Sequence, residues 1–307
     1  MASKPISAEA QVHSGEWQES RIAYQRILGF AFLCAIPILI AWGAIRQVVS
    51  LALTNDTYTH IPLIPVVTGF LIYINRKAIR SRISTRWQPG VLSLAPGFAA
   101  VIAARLGTAH LNASQDLSLA TLGVVLVWIG AFAAFFGYAS FRAARFPLLF
   151  LLFTVPIPEP MLSHTIHFLQ VWSAQSAAAL FSLFGIPYLQ NDLVFNLPGV
   201  AIRVAEECSG IRSTLALLIM TVLAAHMFLK ATWKQVLVCL LAVPLSIAKN
   251  GLRIATLSAL AIYVNPGFLY GKLHQYGGMF FFAAAFLPLA LLFVILERGD
   301  SKRVESK

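Results

Sequence analysis

The stretch SHTIHFLQVWSAQSAAALFSLFG, residues 163–185, decides how the rest of the chain is arranged. It is apolar enough to cross a membrane, yet its polar residues fall largely along one helical face: Ser163, His164, His167, Gln170 and Gln175. If it crossed, the next helix would begin in the cytoplasm and Lys230 and Lys234 would lie outside. The sequence therefore favours an amphipathic helix that lies at the outer face of the membrane or packs over the spans. A true crossing, which adds a ninth span, is the alternative.

The composition of the chain is that of an integral membrane protein. Hydrophobic residues make up 58% and charged residues only 11% of the 307 residues, whereas a soluble domain has about 25% charged residues. Apolar runs of about 20 residues recur along the chain, which is the length that a helix needs to cross a bilayer. No cleavable signal peptide is expected, because a polar tail precedes the first apolar run near Ile27 and no small-residue cleavage site follows it.

About eight transmembrane helices with both termini in the cytoplasm are predicted. Their approximate ranges are 27–51, 61–75, 90–108, 117–138, 143–157, 209–229, 233–263 and 277–297. Most of the 23 basic residues fall in loops and tails on one side, which the positive-inside rule makes cytoplasmic. The net charge of +11 is thus largely an orientation signal, so membrane lipids are expected partners and nucleic acid is not.

These patterns predict an all-α polytopic membrane protein with a single transmembrane domain. Residues 1–26 form a polar cytoplasmic tail, 27–297 the transmembrane domain and 298–307 a second cytoplasmic tail. An outer-face insert at about 158–208 contains the amphipathic helix. It ends in a short extracytoplasmic β-hairpin, whose two strands flank a turn at Pro198 and Gly199.

The segment EECSGIRST, residues 206–214, places a cysteine at the outer end of the span that begins near Ser209. The first turn of a helix has unpaired N–H groups and a positive dipole end, which favour the thiolate of Cys208. The amides of Ser209 and Gly210 are candidate donors to an oxyanion. The neighbouring Glu206 and Glu207 oppose a second negative charge. In the simpler interpretation a serine caps the helix and the cysteine fills space.

Two further residues give Cys208 potential partners. Arg253 lies among apolar neighbours near the outer end of span 233–263, where a guanidinium without a partner is costly. His274 lies in the following outer loop, where its simpler role is that of an interfacial histidine. On the predicted topology all three map to one membrane face. Together they suit acyl transfer, in which a cysteine attacks, a histidine activates it and an arginine donates to the oxyanion or leaving group.

These residues resemble the exosortase/archaeosortase family of membrane-embedded cysteine transpeptidases. CSGIRS at 208–213, NGLR at 250–253 and the downstream His274 follow the family pattern. The stretch YTHIPLIPVVTGFLIYINRK, residues 58–77, is similar to an early tyrosine-serine-histidine segment of the family. The resemblance covers nearly the whole chain. It departs at Glu206 and Glu207, where the family often has small residues.

The resemblance implies an enzyme of the bacterial inner membrane that sorts exported proteins, with its active site on the outer face. Its substrates would end in a short motif such as Pro-Glu-Pro, a membrane helix and a basic cluster. Cys208 would hold the cleaved protein as a thioester and pass it to a surface polysaccharide or lipid acceptor. Arg253 would be the proton donor, and His274 would stabilise the transition state or act as a base. No cofactor or metal is expected.

A glutamate in the sorting motif needs a cationic partner, and several polar residues on the predicted outer half are candidates to bind the substrate. They are His60, Arg46, Arg105, Arg203, Arg212, Lys249 and Asn250. For each basic residue, contact with lipid headgroups or backbone carbonyls is the simpler interpretation.

Two other functions stay open. The chain could be a non-catalytic component of exopolysaccharide assembly or export, in which Arg253 and the outer basic residues bind an anionic sugar or a lipid-linked carrier. A small-solute transporter has less support, because the sequence shows no inverted repeat and no matched pair of broken spans.

Overall fold

The computed structural model describes residues 8–83, 88–107, 111–269 and 278–305. Within these ranges the chain forms eleven α-helices and one small sheet. The helices are α1 (Ala8–Ile40), α2 (Trp42–Thr54), α3 (Leu63–Ile74), α4 (Arg76–Arg80), α5 (Gln88–Leu106), α6 (Ala113–Phe136), α7 (Tyr138–Phe150), α8 (Glu159–Leu183), α9 (Ile211–Phe228), α10 (Thr232–Tyr263) and α11 (Gly278–Glu305). The predicted all-α class is confirmed, and a helix lies at each predicted span.

The described residues contain fewer helices that qualify as membrane spans than the eight predicted. Among the described residues, five are long and apolar enough: Asp56–Ile74, α6, α9, α10 and the part of α11 from Phe280 to Arg298. Two pairs of helices, each interrupted by a short break, also qualify as one span per pair, which raises the number to as many as seven. The sequence predicts about eight. The helix at the predicted span 90–108 is α5, Gln88–Leu106, and its described apolar part is Leu94–Leu106.

The predicted first span, 27–51, is not one continuous helix. α1 and α2 meet at Ala41, where the chain bends by 81° between the part from Tyr24 to Ile40 and the part from Trp42 to Thr54. Pro37 lies one turn before this break. A proline removes one N–H donor from the helix and its ring clashes with the carbonyl four residues earlier, which is a common cause of kinks.

The chain divides into two compact units, Met1–Pro158 and Glu159–Lys307. In the first unit α5 and α6 approach so closely that their backbones nearly touch. A Cβ added at Gly97 would lie 2.8 Å from the backbone nitrogen of Val127, and one added at Gly123 would lie 2.8 Å from the carbonyl oxygen of Gly97. Glycines at such a crossing let two membrane helices pack by van der Waals contact. α1 also contacts α6, where Trp128 donates from Nε1 to the carbonyl of Cys34 at 3.1 Å.

In the second unit α8 packs against α10 through a stripe of small residues. Ala174, Ala177 and Ala178 of α8 are buried with Ile254 and Ala255 of α10. This stripe gives α8 one buried face, as predicted for residues 163–185. Among the polar residues of this helix, Gln170 is buried in the contact, whereas His164 and His167, nearer the start of α8, are exposed.

The sheet of the second unit contains the predicted hairpin and one further strand. β1 (Leu189–Asn191), β2 (Val194–Leu197) and β3 (Val200–Arg203) pair antiparallel in that order. The turn between β2 and β3 has Gly199 at φ +75°, a conformation that suits glycine. β1 is not predicted from the sequence, because its residues Leu189–Asn191 are largely polar and lack the apolar alternation of a strand. The inner side chain Phe195 is fully buried against Phe181 of α8, with ring centroids 5.3 Å apart.

Candidate active site

Cys208, Asn250 and Arg253 line one small cavity of about 40 Å³ in the second unit. The structure thus brings together two of the three predicted catalytic residues, with the asparagine of the NGLR segment between them in the chain. The predicted third residue, His274, lies outside the described residues. The other walls of the cavity come from β3, the segment after it, α10 and the 3₁₀ turn Pro266–Leu269: Ile202, Arg203, Val204, Ile254, Leu257, Ser258 and Leu269.

Cys208 lies at the end of a short 3₁₀ turn, Glu206–Cys208, and not in the first turn of α9. Its amide donates to the carbonyl of Ala205 at 2.9 Å, and the amide of Ser209 donates to the carbonyl of Glu206 at 3.0 Å. α9 begins at Ile211, two residues later than predicted. The Ser209 amide is therefore engaged in this conformation and must give up that bond to serve an oxyanion, as the sequence predicts for it.

Gly210 is the N-cap residue of α9, and two features of the structure favour a glycine there. Its φ of +77° lies in the left-handed region, which costs other residues about 1–2 kcal/mol. A Cβ at this position would also lie 3.1 Å from Cγ and Oδ1 of Asn250. The glycine of the CSG segment therefore makes room for the side chain of the neighbouring helix.

Asn250 holds the cysteine turn in place. Its Nδ2 donates to the carbonyl of Cys208 at 2.7 Å and to Oγ of Ser173 on α8 at 3.0 Å. The side chain is 2% exposed, and no donor among the described residues reaches its Oδ1. Asn250 was predicted as a substrate-binding residue. The hydrogen bonds give its Nδ2 a positioning role, because a buried amide that bridges three segments fixes their relative geometry, and its role in substrate binding stays a prediction.

A polar stripe follows the face of α10 that meets α9. It consists of Ser246, Lys249, Asn250 and Arg253, whose spacing of three, four and seven residues is that of one helical face. Ser246 pairs with Thr214 of α9, with 2.7 Å between their Oγ and Oγ1 atoms. This stripe explains how four polar residues are accommodated in an apolar helix, since polar groups within membrane helices face protein or cavities.

Lys249 lies in this stripe as a buried cation. It is 7% exposed, and its Nζ donates to Oγ of Ser213. Ser213 in turn donates to the carbonyl of Gly210 at 2.9 Å. Lys249 was predicted to bind substrate. In the structure its Nζ is connected through Ser213 to Gly210, the N-cap residue of α9.

Two other arginines lie near Cys208 in the chain. Arg203, at the end of β3, is exposed and shares the cavity with Cys208 and Arg253. Arg212 is exposed in the first turn of α9. Nearby cationic side chains favour the thiolate form of a cysteine. The side chain of Glu206 is also exposed, so water screens its opposing charge.

The remaining predicted substrate-binding residues belong to the first unit. Arg46 on α2 is exposed, and His60 is half-buried after the turn Asp56–Tyr58. Arg105, at the end of α5, lines a separate cavity of about 480 Å³. Every residue that lines the Cys208 cavity belongs to the second unit, whereas these three residues belong to the first.

Sequence analysis missed the two residues of α8 that support the site. Ser173 accepts the hydrogen bond from Asn250, and Gln170 donates from Nε2 to the carbonyl of Val204 at 2.8 Å. Their helical spacing within the alanine stripe of α8 predicts that both residues are buried, but it does not predict which residues they contact.

The model of the transmembrane exosortase family matches residues 50–291 of the chain. The matched range contains the whole cavity around Cys208, the polar stripe and His274. No curated protein matches the chain significantly, and no solved structure does. With a family match over most of its length and helices that fit a multi-pass membrane protein, the chain belongs to the transmembrane exosortase family.

Proposed function

We propose that the chain is a cysteine transpeptidase that cleaves the C-terminal sorting tails of exported proteins and transfers them to a cell-surface acceptor. The observation that carries this proposal is the cavity that Cys208 and Arg253 share. A cysteine that only fills space needs no such partner. A nucleophile for acyl transfer needs hydrogen-bond donors for the oxyanion, and a guanidinium near the reacting carbonyl supplies them.

The proposed reaction has two steps through a thioester. Sγ of Cys208 attacks the carbonyl carbon of the scissile peptide bond, while His274 takes the thiol proton. The guanidinium of Arg253 donates hydrogen bonds to the oxyanion, and the amide of Gly210 is a further candidate donor. The C–N bond then breaks and the proton passes from His274 to the leaving amine. In the second step a nucleophile of the acceptor attacks the thioester, its proton is removed and the Cys208 thiol is regenerated.

Asn250 and Ser173 act in this scheme as positioning residues. They hold the backbone of Cys208 against α8 and α10, so that the thiol meets the substrate in one geometry. Such preorganisation lowers the entropic part of the barrier, since the reacting groups are already in place.

The proposed substrates and location follow from the family and from the charge pattern. The tail carries a motif such as Pro-Glu-Pro, an apolar helix and a basic cluster, and the acceptor is a polysaccharide or a lipid. The basic loops favour a bacterial inner membrane protein with both termini in the cytoplasm and the site on the outer face. On that side Arg203 and Arg212 are candidates to bind the acidic residue of the motif.

The experiment uses a reporter that ends in Pro-Glu-Pro, an apolar helix of about 20 residues and three arginines, hereafter the probe tail. Cells that contain the wild-type chain should release the reporter from this tail. The Cys208→Ser variant should insert normally but leave the tail intact, and hydroxylamine should trap a thioester only with the wild type. Normal processing by Cys208→Ser would reject the enzymatic role and favour a non-catalytic role in exopolysaccharide export.

A further inference from the structure

An apolar groove of about 430 Å³ runs between α9 and α11 in the second unit. The two helices lie side by side and point the same way. Leu217, early in α9, is buried with Ala285 and Leu289 of α11. Near the end of α9, Ala225 and Leu229 pack against the part of α11 that contains Leu292, Phe293 and Leu296. The groove therefore extends along both helices for most of their shared length.

Several walls of the groove are accessible apolar side chains that can adapt to a partner. Met227 and Phe228 of α9 are each more than half exposed, and Phe286 and Val294 of α11 are exposed as well. Methionine side chains can repack around different partners. The remaining walls are Leu217, Met220, Thr221, Leu223, Ala224, Leu289, Ala290, Phe293 and Glu297. Such a surface fits a helix of variable apolar sequence.

The position of the groove relative to Cys208 matches the length of a membrane helix. α9 begins three residues after Cys208, and the groove ends at Phe228. At 1.5 Å per residue, the interval from Cys208 to Phe228 spans about 30 Å. This is also the thickness of the hydrocarbon core and the length of a helix of about 20 residues. A helix that lies along α9 with its outer end at Cys208 therefore has its other end beside Phe228.

Glu297 lies at that distant end. It is exposed, and it is the single charged side chain among the walls of the described groove. A carboxylate at the edge of an apolar groove complements a helix that ends in a cation.

We propose that this groove binds the membrane helix of the sorting tail and that Glu297 pairs with the first basic residue after it. This inference rests on the proposed function, because it assigns a binding site to the substrate of that reaction. The groove aligns the tail along α9, and the alignment places the motif before the helix at Cys208. The enzyme then selects tails whose membrane helix matches the distance between Cys208 and Glu297.

Photo-cross-linking tests the position of the tail. The full chain carries Cys208→Ser to retain the probe tail, and a photoreactive benzoyl-phenylalanine replaces Met220 or Val294 in the groove. A matched control replaces Leu240, which is 66% exposed on α10 and does not line the groove. We expect cross-links to the probe tail from both groove positions and none from Leu240. Cross-links only to lipid or to a second copy of the chain would overturn the proposal.

A charge exchange tests Glu297 with Cys208 intact. Glu297→Lys should lower processing of the probe tail about tenfold, and replacing the first arginine of the tail by glutamate should restore it. A structural defect of the variant would not be rescued by a change in the substrate. Unchanged processing by Glu297→Lys with absent groove cross-links rejects the groove and leaves the proposed function standing. If the wild-type chain leaves the probe tail intact, both proposals fail.

Discussion

Asn250 donates a hydrogen bond from Nδ2 to the backbone carbonyl of Cys208 at 2.7 Å. The two residues are 42 positions apart in the chain, on different elements. The same nitrogen donates to Ser173, so one buried side chain connects α8, α10 and the cysteine turn. The position of the thiol thus depends on a contact that the cysteine's own neighbours in sequence do not make.

The first prediction concerns the removal of this contact. Asn250→Ala should lower the free energy of unfolding by about 1–3 kcal/mol, because the carbonyl of Cys208 and the hydroxyl of Ser173 lose a buried partner. Processing of the probe tail should fall as the turn moves. Thermal unfolding in detergent and the alkylation rate of Cys208, measured with Cys34 and Cys239 replaced by alanine, check both effects.

A matched control for Asn250→Ala is Ser118→Ala. Ser118 is 6% exposed and donates to the carbonyl of Ser114 within its own helix, so its loss should leave Cys208 alkylation unchanged. If both variants behave alike in alkylation and processing, Asn250 has no special role at the cysteine turn.

The second prediction separates the two features that favour glycine at position 210, its positive φ and its contact with Asn250. Gly210→Ala should lower the free energy of unfolding more than Gly199→Ala does. Both glycines have positive φ, +77° and +75°, but a Cβ at Gly199 meets nothing within 4 Å whereas one at Gly210 meets Asn250 at 3.1 Å. The Gly199 variant thus measures the backbone cost alone, about 1–2 kcal/mol. Unfolding curves of both variants give the difference, which should shrink when Asn250→Ala is added. Equal costs would show that Asn250 yields freely.

Local sequence patterns were sufficient for the helices, the hairpin and part of the site. The 3.6-residue period places Asn250 and Arg253 on one face of α10, and the turn at Pro198 and Gly199 fixes the register of β2 and β3. The chemistry around Cys208 could be proposed because the same few residue types suffice for acyl transfer. These features depend on residues close together in the chain.

Features that depend on distant residues were not predictable. Ser173 looks like one more small residue of α8 until α10 packs on it, and β1 is a polar segment until it pairs with β2. The break at Ala41 was missed because Pro37 is tolerated in many membrane helices. For Ser173 and β1 the partner that decides the conformation is absent from the local pattern, whereas the proline before the break is local but does not by itself dictate a kink.

The third prediction concerns Lys249 and Ser213, which face each other across α9 and α10. Ser213→Ala leaves the buried ammonium of Lys249 without its hydroxyl acceptor, and this should lower the free energy of unfolding by about 1–3 kcal/mol. Lys249→Met removes the charge at similar volume and should cost less, since replacing a buried ion by an apolar side chain is often neutral. The double variant should therefore be more stable than Ser213→Ala alone. A double-mutant cycle of unfolding free energies checks this order, and strictly additive costs would contradict it.

The fourth prediction concerns the guanidinium of Arg253. Arg253→Lys keeps the charge but loses the planar set of donors, so processing of the probe tail should fall by about 10²–10³-fold. Thiol alkylation of Cys208 should persist, because the fold is retained. Arg298→Lys, on the exposed end of α11, is the matched control and should process normally. Full activity of Arg253→Lys would restrict Arg253 to a structural role.

The last prediction concerns the side of the membrane on which α8 and the sheet lie. Asp192, at the exposed turn between β1 and β2, and Lys230, between α9 and α10, flank a single span on the predicted topology. With the three native cysteines replaced, a membrane-impermeant maleimide should label Asp192→Cys in intact cells. It should label Lys230→Cys only after permeabilisation, because the positive-inside rule places that loop in the cytoplasm. The reverse pattern would mean that α8 crosses the membrane as a ninth span and that Cys208 faces the cytoplasm, where exported tails cannot reach it.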